Sequence, residues 1–126
     1  MEDKEHGMYF HIDPKVITAQ NCGGREFLRE QINAHISTIN CLREIINSCV
    51  ENYEIENLKP CLMKFRSSVA ELNVSSLNGI IDDLISDADN EEPKEMLSTR
   101  MKDFLLICEL VLIDLSALKK NEGIAD

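Results

Sequence analysis

Four long stripes of apolar residues, each stepping by three and four, constrain this chain more than any other feature. Leu28, Ile32, Ile36, Ile39, Leu42, Ile46 and Cys49 form the first. The second is Ile55, Leu58, Leu62, Phe65, Val69 and Leu72, and the third is Leu77, Ile80, Ile81, Leu84 and Ile85. Leu97, Met101, Phe104, Cys108, Val111, Leu115 and Leu118 form the fourth. This step returns side chains to one face of an α-helix, whereas a strand needs strict alternation. Four amphipathic helices on short connections predict an all-α, up-down antiparallel four-helix bundle.

The local signals set the boundaries. Asp13-Pro14 supplies an N-cap followed by Pro at the first helical position, so a short additional helix is expected from there to about Asn21, closed by Cys22-Gly23-Gly24. The first long helix is expected from near Arg25 to about Asn52, with Glu54 at the next corner. Asn73 ends the second long helix, because Asn tolerates the left-handed terminal conformation. Ser75 is positioned to cap the third, Ser86 to Glu92 reads as a charged loop, and Pro93 opens the fourth. That last helix is nearly apolar all round from Phe104 to Ile113, so it is expected to be the most buried element. Lys119-Lys120 complement its C-terminal dipole, and Gly123 lies beyond. The expected organisation is a loose arm over 1–11, a bundle over 12–120 and a tail over 121–126, one domain within 126 residues.

Charge excludes several functions. Lys and Arg number 13 against 23 Asp and Glu, a formal charge of −10, which opposes phosphate backbones and anionic lipid, so neither nucleic acid nor membrane is an expected partner. The first residues lack a signal-peptide pattern, and the five cysteines (Cys22, Cys41, Cys49, Cys61, Cys108) include no C-x-x-C pair. Reduced thiols and a cytoplasmic location are the corresponding expectations, with no metal and no cofactor. Neither a phosphate-binding glycine loop nor the histidine spacing of a zinc or di-iron site occurs, so no enzymatic activity is expected. Of three histidines, His6 and His11 fall in the arm, and His35 stands one residue from the inward stripe of the first long helix.

The outer side of the second long helix carries Lys59, Met63, Arg66, Ser67 and Ala70 at helical steps, with Lys64 adjacent. Three cations around a Met on an acidic chain read either as snorkelling surface or as a docking face for an acidic partner.

At these residues the chain resembles the histidine-containing phosphotransfer (HPt) domain family. Ile12-Asp13-Pro14-Lys15-Val16-Ile17 and Gly23-Gly24-Arg25-Glu26-Phe27-Leu28-Arg29-Glu30 are similar to that family's first helix, Gly-rich corner and second-helix start. Leu42-Arg43-Glu44-Ile45-Ile46 resembles the end of its second helix, and Glu54 stands at its acidic corner with Leu58 four residues on. The family signature H-x-L-K-G-x-S-x-x-L-G falls without gaps on Met63-Lys64-Phe65-Arg66-Ser67-Ser68-Val69-Ala70-Glu71-Leu72-Asn73. Apolar, cationic and small characters persist at Phe65, Arg66 and Ser67. The signature Ser is Val69, and the phosphoacceptor His is Met63.

The resemblance implies a phosphorelay protein that docks a response-regulator receiver domain or a hybrid histidine kinase. Met63 departs from that chemistry, since a thioether has no nucleophilic ring nitrogen to hold a transferable phosphoryl group. A degenerate, non-accepting HPt-like module is therefore the leading expectation. Phosphotransfer through His35, or a helical adaptor unrelated to receivers, are the alternatives. In an antiparallel pair Met63 stands level with about residue 43, which displaces His35 by about eight residues, on the order of 12 Å. Pro60 is a further departure, and either a late start near Asn57 or a kink is expected there.

Overall fold

The computed structural model describes Ile12 and residues 24–121, apart from the Arg25 side chain. The expected arm, the helix from Asp13 to Asn21, and the tail beyond Asn121 lie outside the described residues.

Within them the chain is helical, with no strand. Helix α1 spans Gly24–Glu51, α2 spans Ile55–Ser68, α3 spans Ser75–Asp89 and α4 spans Lys94–Asn121. A 3-10 turn, Ala70–Leu72, follows α2. The helices close a circuit: α1 packs on α2 and α4, and α3 packs on the same two. All four apolar stripes face the centre, where only Ile36, Ile55 and Ile85 stay half-buried. Phe65 of α2 and Phe104 of α4 meet edge-to-face in the middle, ring centroids 5.2 Å apart at 64°. Each fully buried Leu, Ile or Phe contributes roughly 1.5–3 kcal/mol relative to exposure. These stripes therefore fix which face of each helix turns inward.

Two corners lie together at one end. Tyr53, in the left-handed region at φ 53°, turns the chain between α1 and α2. Its hydroxyl donates to the Glu92 carbonyl at 2.7 Å, at the corner between α3 and α4. Cross-helix pairs set the register: Arg43 with Glu109, Asn33 with Lys119, and His35 with Glu71. Near the other end, the Ile12 N–H donates to the wholly buried Asp114 carboxylate at 3.0 Å, and the Ile12 side chain joins the core. The carboxylate thus holds the chain ahead of α1 against α4, a tether that the apolar pattern alone does not reveal.

Several sequence expectations are corrected. Ser86 to Asp89 is the last turn of α3 rather than loop, because Asp87 is buried and accepts from Arg100 Nε at 2.6 Å. Neutralisation by α4 lets an acidic turn remain helical against the core. Val74, not Ser75, is the N-cap of α3, and no side chain caps it. Helix α2 ends at Ser68, four residues earlier than Leu72, although Asn73 does take the left-handed conformation (φ 54°, ψ 47°) and closes the 3-10 turn. The start of α2 is not delayed to Asn57, since Pro60 lies inside the helix. Pro60 and Glu56 are both exposed, so water can reach the Glu56 carbonyl that Pro60 cannot satisfy. Finally, α4 is not covered all round: Leu106 is 59% and Ile113 45% exposed. A helix on the rim of a four-membered circuit has two neighbours and one inward side, so its outer residues stay in solvent whatever their polarity.

Candidate docking surface

Helix α2 turns Lys59, Met63, Lys64, Arg66 and Ser67 away from the core because its stripe of Leu58, Leu62 and Phe65 is fully buried, whereas Ala70, expected on the same helix, opens the 3-10 turn that follows it. Met63 is 52% exposed. Lys64, Arg66, Ser67 and Ala70 are exposed, and Lys59 is half-buried. The face is convex. A hollow of about 360 Å³ lies at the Tyr53 corner and another of about 540 Å³ beside Met96 and Arg100, and Met63 lines neither. Small-molecule sites are concave and largely enclosed, whereas Met63, Lys64, Arg66 and Ser67 stand exposed on a helix, so this surface suits a macromolecular partner better.

The basic character expected here is tempered by α3. Lys59 Nζ sits 2.9 Å from Asp89, and Arg66 Nη1 sits 2.9 Å from Asp82. Lys64 makes no ion pair with a described residue. The two cations are seven residues apart on α2, and the two carboxylates are seven apart on α3. That matched heptad spacing is the sequence signal that pairs them, and it was legible only once the helices were known to be neighbours. All four side chains are about half exposed, so each pair holds weakly and opens easily.

His35 lies elsewhere. Its Nε2 is 3.3 Å from Glu71 Oε1, and its side chain is 12% exposed. Since Glu71 comes eight residues after Met63, the structure does not bring His35 to the Met63 face. Val69, at the signature Ser position, is buried as the C-cap of α2.

No activated nucleophile emerges among the buried thiols. Burial, opposed by the Arg43 charge and reinforced by Glu109, pushes the Cys108 thiol up to about 12. Burial likewise raises Cys49, helped by Cys61 and Glu54. Both stay protonated at neutral pH and are poor nucleophiles. Among the described residues no three His, Cys, Asp or Glu side chains are grouped to hold a metal ion, and no helix is long and apolar enough to cross a membrane.

Comparison with known proteins gives no match: no family model, no curated protein and no solved structure matches this chain.

Proposed function

We propose that this chain is an HPt-like, up-and-down helical bundle that docks receiver domains of two-component signalling without accepting their phosphoryl group. The observation that carries the reading is Met63, half exposed at the phosphoacceptor position of a gapless signature, with Arg66 and Ser67 beside it on the outer face of α2. An imidazole at that position would be presented to a partner. The thioether presents apolar contact instead and offers no nitrogen for phosphorylation.

The up-and-down course is supported by the residue pairs. Between α1 and α4, Arg43 meets Glu109 while Asn33 meets Lys119, so ten residues back on one helix match ten forward on the other. Between α2 and α3, the steps of seven from Lys59 to Arg66 and from Asp89 back to Asp82 say the same.

In this reading a receiver's acidic pocket draws Lys59 and Arg66 away from Asp89 and Asp82 and meets Lys64 directly, while Met63 packs at the centre. Competition with phosphate-accepting proteins for the same receiver is the consequence. The test is titration of the isotope-labelled chain with receiver domains from its own cell. Amide shifts confined to α2 and the facing part of α1 support the reading. Saturable binding with shifts elsewhere, or no binding to any receiver, leaves the bundle as an adaptor for other proteins.

A further inference from the structure

The outer face of α4 carries more apolar surface than a free helix face needs. Leu106 is 59% and Ile113 45% exposed, and the half-buried Leu110 and Ala117 complete the line. With α1 and α3 on its flanks and the core behind, nothing described covers this line. A row of large aliphatic side chains in water marks an interaction surface more often than a scattered exposed Leu does.

The ends of the line suggest the partner. It continues to Asp103 on one side and to Lys120 on the other, both exposed. Its spacing is symmetric about a point between Leu110 and Ile113: three residues separate 103 from 106 and 117 from 120, and four separate 106 from 110 and 113 from 117. Rotated end for end about that point, Asp103 falls on Lys120, Leu106 on Ala117 and Leu110 on Ile113. Self-complementarity under a two-fold rotation is what a closed homodimer requires. Here an acid meets a base at each end, and a large side chain meets a small one next to it.

We propose that α4 pairs antiparallel with α4 of a second copy of this chain, around Leu106, Leu110 and Ile113, with two Asp103–Lys120 ion pairs at the ends. The formal charge of −10 on each copy opposes association, so the end pairs offset repulsion where the chains are closest. One helix per copy gives an interface at or below the standard size of ~1,600 Å², so the dimer dissociates on dilution. Helix α2 is not a flanking neighbour of α4 in the circuit, so pairing leaves both Met63 faces open and makes the assembly bivalent.

Sedimentation of the full chain from about 5 to about 500 µM tests this, a range wide enough to catch a weak interface. The expected result is a monomer–dimer equilibrium that the joint change Leu106→Glu with Ile113→Glu abolishes without loss of helical circular dichroism. Asp103→Lys should weaken the dimer about tenfold, and adding Lys120→Asp should restore it, because the charges are exchanged in register. Those two positions are exposed, so the exchange remains informative if the aliphatic variants fail to fold. A monomer across the whole range overturns the proposal. So does a dimer indifferent to Leu106→Glu with Ile113→Glu, a charge reversal not rescued by its complement, or a dimer seen only after residues 1–11 are removed, which would make the arm the occupant.

Discussion

Replacing Arg66 by Glu alters a contact within the bundle and, on the proposed docking, a contact with the receiver, and the two effects differ in size. Within the bundle Arg66 is 2.9 Å from Asp82, with both side chains just over half exposed. Such a pair contributes about 0.2–1 kcal/mol, so Arg66→Glu should lower folding stability by about 1 kcal/mol once like charges replace it. Towards a receiver, a cation entering a partly desolvated acidic pocket is worth about 1–3 kcal/mol. The Asp82 contact must open first, which leaves about 1–2 kcal/mol, or roughly 5- to 30-fold in Kd. The same competition predicts the opposite sign for Asp82→Asn, which frees Arg66 and should tighten binding up to about fivefold. Calorimetric titration of a receiver with the wild type and both variants, at low and high salt, reads all of this, and both effects should shrink as salt screens them. Equal Kd values for wild type and Arg66→Glu, or weaker binding by Asp82→Asn, would refute the reasoning.

Further outcomes follow from the fold. Phe65→Ala removes a wholly buried ring from its contact with Phe104 and should cost about 3–5 kcal/mol in urea unfolding; a loss under about 1 kcal/mol would contradict the central packing. Pro60→Ala restores a missing N–H inside α2 at an exposed position and should raise stability by about 1–3 kcal/mol, seen as a higher urea midpoint. Cys108 should resist alkylation in the folded state while exposed Cys41 reacts. Its folded pKa lies above the ordinary value of 9.0, so its contribution to stability is full below that value and declines as pH rises toward about 12. The stability difference between wild type and Cys108→Ala should therefore be flat to about pH 8 and shift against the wild type above it.

The stripes made the helices and their inward faces legible, since burial of Leu58, Leu62 and Phe65 follows from spacing alone. Asn73 was legible too, because few side chains tolerate the left-handed turn. What periodicity cannot carry is the identity of a helix's neighbour. Asp87 reads as loop acid until Arg100 is known to lie beside it, and Asp114 reads as the end of an apolar run until the Ile12 N–H reaches it. The exposure of Met63 and Arg66 on α2 was legible, yet the cations read as free because Asp82 and Asp89 belong to another helix. The apolar girth of α4 misled for the same reason: it measures how much surface wants cover, not how much cover the fold supplies.

The central claim is receiver docking without phosphoryl acceptance, and the direct measurement is transfer from a phosphorylated receiver domain to the wild type and to Met63→His. The wild type should bind the receiver yet gain no acid-labile phosphoryl group. Met63→His places a nucleophilic nitrogen on the exposed face beside Arg66 and should show partial, slow transfer, held back by Val69 in place of the signature Ser and by Pro60 one turn before the site. Phosphoryl incorporation by the wild type that disappears in His35→Ala would contradict the claim.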